Sequence, residues 1–119
     1  MRGKLFLIHW NPPEAEQLAR DLRAMNWRVD IESEDTARAR RRIRERSPDA
    51  VVISLARMAV YGVDVACALR ASKAVVPIVF LDGKDDVIRA AKARLSTALF
   101  TTTGRLAEAL EGYARASWG

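Results

Sequence analysis

Short apolar runs alternate along this chain with longer segments of helical periodicity, and this alternation constrains the fold more than any other feature. Five apolar runs predict strands, at 5–8, 27–31, 51–53, 75–81 and 98–101. Each run is followed by a segment that predicts a helix, at 12–25, 38–46, 62–73, 85–95 and 106–113. Because the strands are almost continuously apolar, this order favours a parallel sheet covered by helices on both faces.

Five consecutive βα units define the predicted architecture. Right-handed crossovers leave few topologies for such a chain, and five units suit a flavodoxin-like α/β fold. We predict a three-layer α/β/α sandwich whose five-stranded parallel sheet has the order 2-1-3-4-5. Met25 is expected to face inward from the first helix, and Pro77 to lie at the beginning of the fourth strand. The whole chain, 1–119, is predicted to form a single domain.

Cysteine and histidine usage excludes several classes of site. Cys67 is the only cysteine and His9 the only histidine, which excludes a disulfide framework, a cysteine-based zinc site and a multi-histidine metal site. No apolar run approaches the ~18 residues of a transmembrane helix, and residues 1–13 lack the pattern of a signal peptide. We therefore expect a cytoplasmic protein with no membrane contact.

The positive charge is concentrated in one predicted helix. The chain carries 20 Lys and Arg against 15 Asp and Glu, a net charge of +5. One segment holds the arginines Arg38, Arg40, Arg41, Arg42, Arg44 and Arg46. Because Ala39 and Ile43 are its only clear inward pair, arginine stems are expected to cover part of the sheet. The remaining guanidinium groups are expected to be solvated and to pair in part with Glu34, Asp35 or Glu45.

Three stretches of the chain are similar to one known family. Residues 47–55 read SPDAVVISL and are followed by Gly62, residues 8–12 read IHWNP, and residues 76–82 read VPIVFLD. In these stretches, and in the order of its elements throughout, the chain resembles the receiver domain of bacterial response regulators. The resemblance implies the flavodoxin-like fold and a role in two-component signal transduction or transcription regulation.

The residues at the strand ends depart from the pattern of that family. Receivers place two acids after strand one, a phosphate-accepting Asp at the end of strand three, Ser or Thr after strand four and Lys after strand five. The corresponding residues here are His9 and Trp10, Ser54, Asp82, and Thr102 or Thr103. Mg²⁺ prefers carboxylate oxygens, and an unactivated serine hydroxyl is a poor nucleophile. The resemblance therefore implies a pseudo-receiver that is not an enzyme, binds no metal or cofactor and is not switched by phosphorylation.

A pseudo-receiver acts by presenting surfaces to partners. The usual contact face of the family is formed by the fourth and fifth units, which here contribute Leu99, Phe100 and Tyr113. A second candidate surface consists of Arg40, Arg41, Arg42 and Arg44. We expect an unidentified signalling protein as the partner, while Trp118 would suit a homodimer contact and leaves the oligomeric state open.

Two alternative functions stay open at this point. The Arg38–Arg46 helix would suit phosphate contacts with nucleic acid, or an acidic partner, although neither interleaved aromatic residues nor a helix-turn-helix pattern accompanies it. Ser54, His9 and Asp82 would suit a small serine hydrolase, although Ser54 lacks the G-x-S-x-G turn that exposes such a nucleophile. The TTTG segment at 101–104 favours a strand end and a helix cap over a flavin or phosphate loop.

Overall fold

The chain forms five βα units. A computed structural model describes residues 2–72 and 75–117, with side chains as far as Gly112. The strands are β1 Gly3–Ile8, β2 Trp27–Glu32, β3 Ala50–Ser54, β4 Ile78–Leu81 and β5 Leu99–Thr101. The helices are α1 Pro12–Ala24, α2 Thr36–Arg46, α3 Ala59–Ala71, α4 Asp85–Arg94 and α5 Leu106–Ser117, the last preceded by a 3₁₀ turn at Thr103–Arg105. No helix in these described ranges is long and apolar enough to cross a membrane.

All five strands are parallel and lie in the order β2-β1-β3-β4-β5, which confirms the predicted flavodoxin-like sheet. The register aligns the carboxyl ends of the strands, because Ile8 pairs with Ile53, Ser54 with Leu81, and Leu81 with Thr101. The segments that leave β1, β3, β4 and β5 therefore meet at one edge of the sheet.

Alternate residues of the strands point to opposite faces of the sheet and contribute to two apolar cores, one on each face. Leu5 and Leu7 of β1 pack with α1 and α5, whereas Phe6 and Ile8 pack with α2, α3 and the end of α4. All four side chains are buried. Full burial of one such side chain contributes ~1.5–3 kcal/mol, so burial on both faces explains why the strands are apolar almost throughout.

Capping side chains fix the starts of α1 and α2. The Asn11 side chain accepts a hydrogen bond from the backbone N–H of Glu14 at 3.1 Å, and Pro12 follows as the first residue of α1, as the sequence predicts. Asp35 caps α2 in the same way, by accepting from the backbone N–H of Arg38 at 2.9 Å. These caps hold both helix starts next to the carboxyl ends of β1 and β2.

The fourth strand is shorter than its apolar sequence predicts. β4 begins at Ile78, and Val75 is 93% exposed. The neighbouring strand sets this limit, because the first ladder pair between β3 and β4 joins Val51 to Ile78. Pro77 consequently precedes β4, where its carbonyl accepts a hydrogen bond from the backbone N–H of Val51 at 2.9 Å.

The start of α3 and the end of α1 also differ from prediction. α3 begins at Ala59 instead of 62, directly after Met58, whose backbone is in the left-handed conformation. The Met58 side chain forms no capping hydrogen bond, so no sequence pattern indicates this helix start. A hydrogen bond from the Tyr61 N–H to the Met58 carbonyl begins the helix. Met25 is 38% exposed instead of facing inward, because α1 ends at Ala24 and the chain turns there towards β2.

Candidate functional site

The carboxyl ends of β1, β3, β4 and β5 hold all the residues of the predicted degenerate phosphorylation site. This edge is termed the strand-end site, and it comprises His9, Trp10, Ser54, Asp82, Thr102 and Thr103. The parallel topology places these residues at one edge of the sheet, as the sequence predicts. Their hydrogen bonds decide what the edge is able to do chemically.

His9 is a buried, neutral side chain that positions the start of α1. Its Nδ1 accepts a hydrogen bond from the backbone N–H of Asn11 at 3.2 Å, so the ring proton lies on Nε2, 3.6 Å from a carboxylate oxygen of Glu14. Burial lowers the pKa of His9, and the negative charges of Glu14 and Asp82 oppose that shift only in part. His9 is therefore held at Nδ1 by a hydrogen bond from the chain that follows it.

Trp10 fills the space beside His9 with an aromatic ring. The ring packs against the core on the α3 side and meets Tyr61 edge to face, with ring centroids 6.1 Å apart. Its indole N–H is buried and has no hydrogen-bond acceptor among the described residues. An unpaired buried donor costs ~1–3 kcal/mol, so the packing of the ring must offset that loss.

Ser54 is only 1% exposed and has a local structural role. Its hydroxyl accepts a hydrogen bond from the backbone N–H of Ala56 at 3.3 Å, where the chain turns out of β3. Within the described part of the chain, Ser54 forms no hydrogen bond to His9 or Asp82. The hydrogen-bonded Ser-His-Asp relay that the hydrolase alternative requires is therefore not assembled.

Asp82 ties the end of β4 to the segment that follows β5. It adopts a left-handed backbone conformation, with φ +58°, and its N–H donates to the Thr101 carbonyl at 3.0 Å. One carboxylate oxygen accepts from the Thr103 backbone N–H at 2.8 Å, and the other accepts from the Thr103 hydroxyl. Of the two threonines named for this position, Thr103 is the one whose hydrogen bonds reach Asp82.

The strand-end site offers poor ligands for a cation. Among the residues that the structure describes, no group of three or more His, Cys, Asp and Glu side chains is placed to hold a metal ion. Within the strand-end site the carboxylate belongs to Asp82, which directly follows β4. Both of its oxygens already accept hydrogen bonds from Thr103. The donor set does not fit Mg²⁺, which requires several hard oxygen ligands.

Glu32 is a buried charged residue that the sequence pattern did not single out. Its side chain, at the end of β2, is only 2% exposed. Arg38 donates to both of its oxygens, Nε at 2.6 Å and Nη2 at 2.7 Å, and the backbone N–H groups of Glu34 and Asp35 add bonds of 3.1 and 3.2 Å. The hydrogen bonds from Arg38 and the backbone lower the pKa of Glu32 to about 2 against its burial. The sequence offered one signal for this ion pair, because Glu32 is an acid between an alternating strand and an arginine-rich helix.

The arginines of α2 divide into an inward and an outward set. Arg42 donates to the Ile31 carbonyl at 2.7 Å, and its guanidinium lies 5.2 Å from the centre of the Phe6 ring, which confirms that an arginine stem covers the sheet. Of the predicted acidic partners, Glu34 pairs with Arg38 at 3.4 Å and Asp35 serves as the helix cap. The outward set, exposed and without an ion pair among the described residues, is Arg40, Arg41 and Arg44.

The predicted contact face of the fourth and fifth units is only partly exposed. Leu99 and Phe100 are both half-buried in β5. Phe100 stacks on Phe80 at 5.1 Å between ring centroids, and the Lys92 ammonium lies 5.4 Å above the Phe100 ring. The Tyr113 side chain and Trp118 lie outside the described residues, so their predicted roles remain predictions.

An exposed apolar patch lies next to Trp10 and was not predicted. It consists of Met58, Val60 and Tyr61 at the start of α3, and each of these side chains is exposed. A groove of about 210 Å³ continues from Val60 between α3 and α4. Because Tyr61 contacts Trp10, exposed apolar side chains border the strand-end site.

Solved structures share this fold, although no protein-family model and no curated protein matches the sequence. A two-component response regulator of the LuxR family from Aurantimonas sp. SI85-9A1 superposes with a TM-score of 0.80 at 20% identity, over 96% of this chain and 86% of that chain. NtrX from Brucella abortus gives 0.81 at 16% identity, over 98% of this chain and 27% of that chain. The signal receiver domain of a modulated diguanylate cyclase from Desulfovibrio desulfuricans G20 gives 0.74 at 19% identity, over 92% of this chain and 90% of that chain. The fold is thus that of response regulator receiver domains, and at these identities the likeness establishes the fold alone.

Proposed function

We propose that this chain is a pseudo-receiver, a signalling module that acts by protein contact and is not switched by phosphorylation. The receiver fold of two-component response regulators supports a role in signal transduction. One observation carries the finer proposal: Ser54 ends β3, is buried, and accepts a hydrogen bond from the N–H of Ala56. The family resemblance places a phosphate-accepting Asp at that position.

Chemistry at the strand-end site supports this proposal. Phosphoryl transfer to a receiver needs a carboxylate nucleophile and a divalent cation that neutralises the incoming charge. A buried serine without a hydrogen-bonded base offers neither, and His9 and Trp10 stand where the acid pair would bind the cation. Asp82 adds a negative charge where phosphoryl oxygens would have to be held, which disfavours phosphate binding further.

The hydrogen bonds at this edge also favour one fixed conformation. Asp82 holds Thr103 through two bonds, and His9 holds the backbone of Asn11, so these polar groups are satisfied without any added ion. Receiver domains interact with other signalling proteins or effector domains. In this chain we assign that contact to surfaces that are exposed without activation, among them the apolar patch at Met58, Val60 and Tyr61.

The decisive experiment exposes the chain to acetyl phosphate with Mg²⁺, and separately to beryllofluoride with Mg²⁺. Intact mass spectrometry and thermal unfolding are expected to show no adduct and no shift in melting temperature. A phosphorylatable receiver domain treated in parallel shows that the reagents are active. A stable phosphoryl adduct on this chain would overturn the proposal, and its persistence or loss in Ser54→Ala would show whether Ser54 is the acceptor.

A second measurement separates this proposal from the serine hydrolase. A fluorophosphonate probe labels serines that an adjacent base activates, and none of the described residues forms a hydrogen bond to Ser54 as such a base. We expect no labelling of the native chain, with a known serine hydrolase as the positive control. Stoichiometric labelling that disappears in Ser54→Ala would establish an activated serine and contradict a purely non-enzymatic role.

A further inference from the structure

A groove lies between α2 and α3, at the edge of the sheet opposite the strand-end site. It encloses about 860 Å³, and its walls are the outer side of α2, the end of α3 and the segment that enters β4. The lining includes Arg40, Arg41, Arg44, Leu69, Val75 and Val76. No residue of the strand-end site lines it, so the groove is a separate feature of the fold.

One wall of the groove is strongly basic. Arg40, Arg41 and Arg44 are exposed and form no ion pair within the described part of the chain. Asp49 supplies the one carboxylate among the described lining residues, and this carboxylate accepts a hydrogen bond from the backbone N–H of Lys4 at 2.8 Å. The groove therefore presents three guanidinium groups that fit carboxylates or phosphates.

The floor of the groove is apolar. Leu69 is buried beneath it, Val76 is half-buried, and Val75 stands almost fully exposed at its side. Val75 and Val76 therefore offer apolar surface at the groove that the apolar side chain of a ligand would cover. The complementary ligand consequently has apolar side chains as well as negative charges.

We infer that this groove binds an acidic peptide segment of a protein partner, with its carboxylates against the arginines and an apolar side chain on the floor. The inference deepens the proposed function by giving the chemistry of one partner surface, and it rests on that proposal only for the signalling role. The geometry of the groove is independent of whether the strand-end site takes phosphate.

A peptide suits the groove better than nucleic acid does. Among the described residues that line the groove none is aromatic, so these residues offer bases no stacking platform. Phosphate backbones bind through charge and polar contacts and would leave the apolar floor uncovered. A concave site with charges on one wall and an apolar floor is the arrangement that fits a short segment with acidic and apolar side chains.

Fluorescence anisotropy with defined probes tests this inference. The main probe is a fluorescein-labelled peptide in which glutamates flank each leucine. The comparison probes are the same peptide with glutamine in place of leucine, and a labelled random-sequence DNA duplex. The groove variant carries Arg40→Gln, Arg41→Gln and Arg44→Gln. The matched control, which removes the same charge elsewhere on the surface, carries Arg20→Gln, Arg28→Gln and Arg89→Gln.

The expected result is saturable binding of the glutamate–leucine peptide that falls with added salt. The groove variant should bind about tenfold more weakly, as expected for the loss of three exposed ion pairs, while the control variant should change less than about twofold. Val75→Ser alters an exposed side chain and should weaken binding about threefold without disturbing the core. Circular dichroism of each variant checks that the fold is intact.

Four outcomes would overturn the inference. They are absence of saturable peptide binding, equal losses in the two triple variants, equal affinity for the glutamine-containing peptide, and tighter binding of the DNA duplex that depends on the same three arginines. None of these bears on the acetyl phosphate experiment. Failure of the groove is therefore distinguishable from failure of the proposed function.

Discussion

The Glu32 carboxylate is buried at the end of β2 and accepts hydrogen bonds from Arg38 and from two backbone N–H groups at the start of α2. Glu32→Gln removes the charge while keeping the size of the side chain, so that Arg38 loses its buried ionised partner. We expect the free energy of unfolding to fall by about 2–3 kcal/mol, the range for hydrogen bonds to charged groups. Urea unfolding measures the change.

A matched control for this prediction is available on the same arginine. Glu34 also pairs with Arg38, but at 3.4 Å and with a side chain that is 77% exposed. Glu34→Gln is expected to change the free energy of unfolding by less than about 0.5 kcal/mol, because exposed pairs contribute little. Equal effects of the two substitutions would show that burial of Glu32 has no energetic consequence.

The same carboxylate makes stability depend on pH. In the folded chain the pKa of Glu32 is about 2, below its ordinary value of 4.5, so the unfolded chain binds the proton first. The contribution of Glu32 is therefore complete above pH ~5 and is lost as the pH falls towards ~2, with a slope of at most ~1.4 kcal/mol per pH unit. Unfolding of wild type and Glu32→Gln between these pH values is expected to converge, and parallel curves would contradict the assignment.

Asp82 combines a left-handed backbone with a carboxylate that holds Thr103. Asp82→Ala removes both hydrogen bonds and places a residue with no local polar side chain at φ +58°. We expect a loss of about 2 kcal/mol in the free energy of unfolding, from the lost cap and the added backbone strain. Asparagine tolerates this backbone conformation and retains an accepting oxygen. Asp82→Asn should therefore lower the free energy of unfolding by less than half as much, measured by the same unfolding experiment.

At the scale of single elements, the inner side of helix α2 packs on the sheet, and its outer side is exposed to solvent. Ala39 and Ile43 are buried, and Arg38 and Arg42 bond to Glu32 and the end of β2. The remaining arginines face solvent or the groove against α3. Arg40, Arg41 and Arg44 therefore lie exposed on the outer side of α2, so that this helix packs on the sheet and still presents positive charge to solvent.

Helix α3 approaches the sheet closely at Gly62. A Cβ atom added there would lie 2.7 Å from the side chain of Ile53, so Gly62→Ala forces α3 away from β3. We expect a loss of about 1–3 kcal/mol in the free energy of unfolding, which outweighs the helix propensity that alanine gains. Gly112→Ala in α5 is the control, since nothing lies within 4 Å of its added Cβ, and it should stabilise the chain by about 0.5–1 kcal/mol. Thermal or urea unfolding of both variants measures whether Gly62→Ala destabilises the chain and Gly112→Ala stabilises it.

At the scale of the whole molecule, the sheet order followed from the sequence because most strand residues are apolar and a helix connects each strand to the next. The positions of His9, Ser54 and Asp82 at strand ends followed for the same reason. The burial of Glu32 did not, because it depends on how α2 crosses the end of β2, which no local pattern records. The exposure of Val75 could likewise not be predicted from the sequence, because the length of β4 is set by its neighbour β3.

The fold as a whole should be indifferent to magnesium. A ligand that binds only the folded chain stabilises it by RT ln(1 + [L]/Kd), so a site with a Kd of about 1 mM would add about 1.4 kcal/mol at ~10 mM Mg²⁺. For a chain of 119 residues this corresponds to a rise in melting temperature of about 5 °C. We expect the melting temperatures in Mg²⁺ and in EDTA to agree within about 1 °C when the ionic strength is matched with NaCl, because the carboxylate that directly follows β4 is already held by Thr103. A rise that saturates with Mg²⁺ and disappears in Asp82→Asn would show that the strand-end site still binds the cation, and would reopen phosphorylation as its switch.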